Sequence, residues 1–255
     1  MSATAAWHAA LADLLSRSHR LPPDRLPVAV NAALRPLDVT ATRYVVDVEQ
    51  ELLRPLPEPG RPTPDPLPID TSLPGRAYTE VRARPGQDGR LWVPVVNGTD
   101  RLGLLEVVLP AGADPADGAL GDGCRAIAGL IGHVLTSKLP YGDALHRARR
   151  GAPMAVSAEL LWQLLPPLTF ASDTVVVSAI LEPCYAVGGD AFDYALDGTI
   201  LALAILDGVG HGLPATLTTS VALAALRAAR RSGAEFGAHR HPHAASLKLP
   251  GPRRT

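Results

Sequence analysis

The sequence is short of the features that mark secreted, membrane-embedded and nucleic-acid-binding proteins. Among 255 residues only Cys124 and Cys184 are cysteines, and neither a secretory leader nor an apolar run of membrane-spanning length is present. The formal net charge of −1 gives no electrostatic reason to bind nucleic acid or a membrane surface. We therefore expect a cytoplasmic protein with reduced cysteines, and neither nucleic acid nor membrane as a partner.

What is present is the composition of a globular protein. Apolar residues make up 47% of the chain and charged residues 19%, and 25 prolines indicate many loops. This length allows one large domain or two small ones. The pattern changes at the helix-breaking run Gly151-Ala152-Pro153 and again after Arg231, where apolar periodicity ends.

The first part of the chain has the pattern of a separate α/β unit. Helices are predicted around Trp7 and over residues 24–34, strands over 42–48 and 51–56, and a short helix over 75–81. A hairpin follows, with strands over 91–96 and 102–109 joined by the turn dipeptide Asn97-Gly98. A helix with a broad apolar stripe closes the unit. The stripe consists of Ala126, Ile127, Leu130, Ile131, Val134 and Leu135.

This order of elements resembles that of a GAF sensor domain. The resembling segments are residues 46–50, 67–70, 75–78, 91–94 and 101–106. The resemblance implies the fold and leaves the ligand and any cofactor of the sensor unknown, because no cysteine or histidine stands out as an attachment point. The apolar surfaces of the terminal helices have two possible roles. Part of them remains exposed and binds a second copy of the chain in a twofold homodimer, or all of them are buried in the core of one chain.

Two aspartates bracket a second predicted β-hairpin. Asp190 follows Gly188-Gly189 at its start, and Asp207 follows the apolar run at its end. With Asp197-Gly198 as the turn, Asp190 pairs with Ile205, two positions from Asp207, so both carboxylates lie on one face. Strand geometry then places the two Cα atoms on the order of 8 Å apart. One or two Mg²⁺ or Mn²⁺ ions with bound water can bridge that gap.

Other interpretations of these motifs stay open at this point. Gly-Gly-Asp and Asp-Gly are common turn sequences, and each alone is usually structural. A dinucleotide-binding loop also has a strand, a glycine-rich turn and a helix in this order. However, the spacing over 208–212 is Gly-x-Gly-x-Gly, and Asp207 lies where a pyrophosphate would approach.

Together the motifs resemble the opening of a bacterial metal-dependent protein phosphatase. The group is the type 2C-like (PPM) superfamily, in the branch of stage II sporulation protein E (SpoIIE-like). Segments 158–166, 182–190 and 207–215 resemble it, and the resemblance extends over roughly 154–231. It implies an αββα sandwich, Mn²⁺ or Mg²⁺ as cofactor, two ions in the complete domain, and hydrolysis of phosphoserine or phosphothreonine in a partner of the anti-anti-sigma type.

The same resemblance assigns roles to individual residues. Asp190 would bind one ion, Asp207 would bridge both, and the carbonyl group of Gly208 would complete the ligand set; the two aspartates are the catalytic pair. Four further residues would shape the loop rather than bind metal: Gly189, Gly210, His211 and Gly212. Imidazole is a poor Mg²⁺ ligand, which argues against His211 in the ligand set.

We therefore predict an α+β chain in four parts. These are a GAF-like sensor over 1–140, a helical linker over 141–166, the N-terminal part of a PPM-type sandwich over 167–231, and a disordered tail over 232–255. The linker carries an apolar ridge that either packs on the phosphatase sheet or mediates a dimer; it consists of Leu160, Leu161, Leu164 and Leu165. In the tail, His239, His241 and His243 could chelate a transition metal, although the composition favours disorder.

The later strands and acidic metal ligands of the family have no counterpart in this sequence. We therefore expect a phosphatase that is impaired by truncation. The alternative is a non-catalytic signalling or interaction module that retains only the sensor function.

Overall fold

The structure is a computed structural model that describes residues 3–233 and the backbone of residues 244–248. The chain divides into two compact units, Met1–Gly151 and Ala152–Thr255. The division falls within the helix-breaking run 151–153. The linker predicted over 141–166 is therefore not one element, because its first part belongs to the first unit and its second part to the second.

The first unit is built on a six-stranded antiparallel sheet with the strand order β3-β2-β1-β6-β5-β4. Its strands are β1 Thr40–Val46, β2 Leu52–Pro55, β3 Leu67–Pro68, β4 Arg84–Pro85, β5 Arg90–Asn97 and β6 Asp100–Val108. Its α-helices are α1 Ala3–Ser18, α2 Leu26–Leu34, α3 Leu73–Thr79, α4 Gly118–Lys138 and α5 Ala144–Ala148. Short 3-10 turns lie at Pro23–Arg25, Arg35–Leu37 and Leu139–Tyr141.

Both faces of this sheet are covered. Neighbouring side chains of a strand point to opposite faces, so each strand contributes to the packing on both sides. Ala41 and Val45 of β1 join the larger core, which also contains Trp7, Leu14, Ile127, Ile131 and Val134 from α1 and α4. On α1, Trp7 and Leu14 are thus buried and Leu11 is partly buried, whereas Leu15 is 49% exposed. In the predicted stripe of α4, Leu130 is partly buried and Ala126 is exposed, while the other members are buried. A dimer through the terminal helices stays a prediction.

The second unit contains two helices and two small antiparallel sheets among the described residues. The helices are α6 Val156–Leu164 and α7 Gly212–Arg231. One sheet pairs β7 Thr169–Ala171 with β8 Val176–Ser178, and the other has the order β11-β10-β9. Its strands are β9 Asp190–Asp197, β10 Ile200–Asp207 and β11 Ala244–Lys248.

The strand β11 lies in the segment that the sequence predicts to be disordered. Its five residues pair antiparallel with β10, from Ala244 opposite Ala204 to Lys248 opposite Ile200. An edge strand exposes a row of unpaired backbone groups, which can accept another strand whatever its side chains are. For these residues the prediction of disorder is wrong, and the three histidines of the tail lie outside the described residues.

The hairpin β9–β10 is covered on its helix side, and its other face is open at the end that carries the aspartates but buries Leu201 near the turn. Ala191, Asp193 and Ala204 are buried on the helix side, where Ala191 packs with α6. On the other face, Ile205 is 68% exposed, and Tyr194 stacks on Phe170 at 5.8 Å between ring centroids. Within the described part of this unit, β7–β8 is the only other sheet, so the predicted αββα sandwich is not shown.

Both hairpin turns are shifted by one residue from the predicted position. Asn97 pairs with Asp100, and Asp197 pairs with Ile200, so the loop residues are Gly98-Thr99 and Gly198-Thr199. Each glycine has a φ of 59°. Glycine at the first loop position is typical of a type II′ turn, whereas the prediction placed Asn or Asp there, as in type I′.

None of the helices in the described part of the chain combines the length and apolar character needed to traverse a bilayer.

Candidate functional site

The candidate site lies where β9 begins and β10 ends. Asp190 is directly opposite Asp207, and not opposite Ile205 as predicted. The correction follows from the turn, because moving the loop by one residue changes every pairing by two positions. A shift of two keeps each side chain on its predicted face, so both carboxylates share one face.

The two aspartates are closer than the sequence predicts. The N–H group of Gly208 donates to the carbonyl oxygen of Gly189 at 3.0 Å, so a hydrogen bond in the position of a hydrogen-bonded pair lies directly beyond the two aspartates. Since such pairs alternate along an antiparallel ladder, Asp190 and Asp207 form a non-hydrogen-bonded pair. Their Cα atoms are therefore about 4.5 Å apart, and their side chains are in the closer of the two arrangements.

The electrostatics of this pair suit a cation. Both aspartates are exposed, and like charges directly opposite each other destabilise a hairpin. A hard divalent ion between two carboxylates replaces that repulsion with attraction, and oxygen is the donor that Mg²⁺ and Mn²⁺ prefer. Nowhere in the described part of the chain do three or more His, Cys, Asp or Glu side chains form a group suited to a metal ion. The donor set thus fits one ion with several water ligands.

The loop after Asp207 depends on glycine. Gly210 and Gly212 have φ values of 100° and 68°, a region that residues with a Cβ atom rarely adopt. His211 is exposed and is the N-cap of α7, but its side chain makes no capping hydrogen bond. A Cβ atom on Gly189 would overlap the carbonyl group of Gly208. Gly189 thus permits the close approach of the two chain segments beside the aspartates.

Sequence reasoning missed two buried threonines beside the site. Thr216 and Thr219 of α7 are almost fully buried. The hydroxyl group of Thr219 donates to the carbonyl oxygen of Gly189 at 2.5 Å, and that of Thr216 donates to the carbonyl oxygen of Gly188. Their only sequence signal is a spacing of three positions, which places two hydroxyl groups on one face of a helix.

Sequence reasoning also missed a buried ion-pair cluster on the helix side of the hairpin. The carboxylate of Asp193 accepts hydrogen bonds from Arg227 Nε at 3.1 Å, Arg227 Nη2 at 2.7 Å and Arg230 Nη1 at 2.6 Å. Arg227 Nη2 also donates to the carbonyl oxygen of Leu164, the last residue of α6, at 2.7 Å. Arg227 therefore connects α7 to both β9 and α6.

In the first unit, the face of the sheet beneath α3 is filled by its own side chains. Tyr44 and Trp92 lie 6.2 Å apart between ring centroids in a buried cluster with Tyr78 of α3. Burial raises the pKa of Tyr78 to about 12, and burial also raises the pKa of Tyr44 above its usual value. Burial thus disfavours the phenolate form of both tyrosines. At the edge of the cluster, the guanidinium of Arg101 lies over the Tyr78 ring at 5.3 Å, and the Tyr44 hydroxyl donates to the Glu106 carboxylate at 3.5 Å.

A separate, mostly apolar cavity of about 340 Å³ lies elsewhere in the first unit. It is bounded by the 3-10 turn at 23–25, the start of α2, residues 56–57 and α5. Its apolar lining residues are Pro23, Pro27, Leu56, Pro57, Ala144, Leu145 and Ala148, with Asp24 and Arg147 as charged members. None of the residues singled out from the sequence as site residues lines it. Its size is that of small-ligand sites in general.

The last residues of the first unit are tied to the end of β1. Arg149 Nε donates to the carbonyl oxygen of Val46 at 3.0 Å, and the N–H group of Val48 donates to the carbonyl oxygen of Arg149 at 3.0 Å. Beside them, buried Asp47 accepts hydrogen bonds from the N–H groups of Glu51 and Leu52. Burial lowers the pKa of Arg149 from its usual value. The segment that precedes the second unit is thus fixed on the sheet.

Comparisons with known proteins bear on about half of the chain. No family model matches it, and neither does any curated protein. Among solved structures it is similar to the GAF domain of a phosphoenolpyruvate-protein phosphotransferase from Coxiella burnetii, with 12% identity and a TM-score of 0.47 over 55% of this chain and 99% of that one. The GAF domain of the Acinetobacter phosphoenolpyruvate-protein phosphotransferase gives 13% identity and a TM-score of 0.44 over 54% and 97%.

A third similar structure is that of an enzyme. The free methionine-R-sulfoxide reductase from Neisseria meningitidis, in complex with its substrate, has 15% identity and a TM-score of 0.44 over 56% of this chain and 95% of that one. These three alignments do not show a PPM phosphatase domain.

Proposed function

We propose that the second unit is a PPM-type, SpoIIE-like serine/threonine protein phosphatase domain and that a GAF-like first unit controls it. The observation that supports the phosphatase is the register of the hairpin. Two aspartates, each beside glycine, lie directly opposite each other on one exposed strand end. An unfavourable pair of like charges at such a position is explained by a cation that both carboxylates bind.

Mn²⁺ or Mg²⁺ held at this site would lower the pKa of a water molecule and neutralise charge on the phosphoryl group. The residues of this chain would bind the metal ion and leave access for the phosphorylated side chain. Asp190 and Asp207 would provide carboxylate ligands, and Gly208 would provide a backbone carbonyl ligand. The exposed loop after Asp207, with Val209 fully exposed, leaves room for a phosphoserine or phosphothreonine on the surface of another protein.

We propose that this activity is low. A complete site in this superfamily holds two ions, and two carboxylates suit one ion bound weakly through water. Each 1.36 kcal/mol of lost transition-state stabilisation slows a reaction tenfold, so a loss of a few kcal/mol makes turnover very slow. The substrate we propose is a phosphorylated regulatory protein of the anti-anti-sigma type, in the cytoplasm. We also propose that the chain acts as a homodimer.

The regulatory part of the proposal concerns the first unit. Its antiparallel sheet, covered by helices on both faces, supports a GAF-like sensor whose ligand is unassigned. The hydrogen bonds between Arg149 and the end of β1 support a route by which a change in the sheet alters the chain segment that leads to the second unit.

A second candidate function is a non-catalytic signalling or interaction module. It is favoured by the absence, within residues 3–233, of a third acidic, histidine or cysteine side chain grouped with the aspartate pair. On this alternative the sensor unit keeps its function and the aspartates are a remnant.

Manganese-dependent dephosphorylation of a phosphoserine anti-anti-sigma protein distinguishes the two functions. We expect slow, Mn²⁺-dependent turnover by the whole chain that Asp207→Asn abolishes. Asp197→Asn is the matched control, because Asp197 is an exposed aspartate at the other end of the same hairpin. No turnover and no Mn²⁺ binding would favour the non-catalytic module. Fast turnover that Asp207→Asn abolishes would mean that the site is complete, against our proposal of low activity.

A further inference from the structure

The helix α7 carries three threonines in one turn, and their hydroxyl groups have different partners. Thr218 is exposed, and its hydroxyl group donates to the carbonyl oxygen of Pro214 at 3.1 Å, the usual bond of a threonine to its own helix. The one hydroxyl hydrogen of Thr216 is shared between the carbonyl oxygen of Gly212 in the same helix, at 3.1 Å, and that of Gly188. Thr219 donates to the carbonyl oxygen of Gly189, outside the helix, at 2.5 Å.

The carbonyl oxygen of Gly189 is the meeting point of three chain segments. It accepts one hydrogen bond from the N–H group of Gly208 and one from the hydroxyl group of Thr219. A Cβ atom on Gly208 would overlap Thr219 Oγ1. The side chain of Thr219 is therefore fitted against both members of the glycine pair.

This glycine pair adjoins the aspartate pair on both strands. Asp190 follows Gly189, and Asp207 precedes Gly208. The hydrogen bond between the two glycines lies at the open end of the hairpin, beyond the last paired residues of β9 and β10. Strand ends separate easily unless another element holds them. In this hairpin α7 supplies that support through buried hydroxyl groups.

We propose that Thr219, assisted by Thr216, is a positioning residue that keeps Asp190 and Asp207 at metal-binding separation. Its hydroxyl group holds Gly189 against Gly208, and the two carboxylates then face one ion together. The metal part of this inference rests on the proposed phosphatase function, whereas the positioning of the backbone is independent of it.

Three variants of the full chain test the proposal. Thr219→Val keeps the shape of the side chain and removes the hydroxyl group, Thr219→Ser restores the hydroxyl group, and Thr218→Val is the matched control on the same helix. The first measurement, without metal, is hydrogen exchange of the Gly208 amide by NMR. We expect exchange about tenfold faster in Thr219→Val, because a buried acceptor loses one of its partners, and near wild-type exchange in the other two variants.

The second measurement is Mn²⁺ affinity, read from the electron paramagnetic resonance signal of free Mn²⁺. We expect Kd to rise about tenfold in Thr219→Val, to recover in Thr219→Ser, and to stay unchanged in Thr218→Val. Circular dichroism verifies folding. If Thr219→Val does not fold, Thr216→Val takes its place, because the hydroxyl group of Thr216 holds the adjacent Gly188.

The outcomes separate this inference from the proposed function. If Thr219→Val behaves like Thr218→Val in both measurements while Asp207→Asn loses Mn²⁺, the proposed metal site stands and the positioning role is wrong. If the wild type binds Mn²⁺ no better than Asp207→Asn, the proposed function is wrong. In that case the exchange of the Gly208 amide alone decides whether Thr219 holds the aspartate pair.

Discussion

Replacing Asp193 with asparagine is expected to destabilise the second unit strongly. Asp193 has a side chain that is only 2% exposed, and its carboxylate accepts hydrogen bonds from Arg227 and Arg230. Asparagine keeps the shape but removes the negative charge. Its amide group also presents N–H donors toward a guanidinium group that has only donors.

The size of the effect follows from the surroundings. Removing one partner of a buried ion pair typically costs about 3–5 kcal/mol, because the other charge is left uncompensated. The side chains of Arg227 and Arg230 are 21% and 16% exposed, and Arg227 keeps its bond to Leu164. Residual solvation lowers the cost, so we expect about 3 kcal/mol, or roughly 12 to 24 °C in Tm for a unit of this size.

The assay is urea unfolding followed by fluorine NMR of protein labelled with 5-fluorotryptophan. The chain has three tryptophans, and Trp162 reports on the second unit, where its Nε1 group donates to the carbonyl oxygen of Cys184 at 2.9 Å. Trp7 and Trp92 report on the first unit, whose transition should not move. Asp197→Asn is the matched control, and we expect it to stay within about 0.5 kcal/mol of the wild type.

A second variant tests the same reasoning. Arg230→Ala removes only one of the three hydrogen bonds to Asp193, so its cost should be about 1–2 kcal/mol. The double variant should lose less than the sum of the two single losses, since both act on one cluster. A loss below about 1 kcal/mol for Asp193→Asn, or additive losses, would contradict the view that this cluster holds α7 on the hairpin.

Two further predictions concern α4 of the first unit. Burial raises the pKa of Cys124 to about 12, so its thiol stays protonated at pH 8. Iodoacetamide should alkylate it far more slowly in the native chain than in urea, and equal rates by peptide mass spectrometry would show that it is accessible. A Cβ atom on Gly132 would overlap the carbonyl group of Val96, whereas Gly129 has open space. Gly132→Ala should therefore destabilise the unit by about 1–3 kcal/mol and Gly129→Ala stabilise it by up to about 1 kcal/mol; urea unfolding that gives both the same sign would refute this packing.

The type and order of most elements in the first unit follow from the sequence, because they depend on local periodicity. The apolar stripe of α4, the apolar runs of β5 and β6 and the turn dipeptide between those strands are present in the residues themselves. The exact ends differ: β1 begins and ends two residues before the predicted 42–48. Strand ends depend on which partner residues are available across the sheet, and the sequence of one strand does not contain that information.

The two hairpin turns show where local information ends. Asn97-Gly98 and Asp197-Gly198 fit a type I′ turn, while the same glycines at the first loop position fit a type II′ turn. The two differ by one residue in the loop and by two in the pairing. The face on which Asp190 lies is the same in both, and the sequence determined it. Which residue lies opposite Asp190 was decided by the tertiary structure.

The contacts that hold the candidate site together were decided by tertiary structure alone. Thr219 is 30 positions from Gly189, and Arg227 is 34 positions from Asp193. A threonine or an arginine in a helix has the same local pattern whether it faces solvent or a buried carbonyl group. The sequence determined that two aspartates beside glycines share one face of a hairpin. The packing of α7 on that hairpin decided their neighbours, because hydrogen bonds between distant segments form only where the fold brings donor and acceptor within about 3 Å.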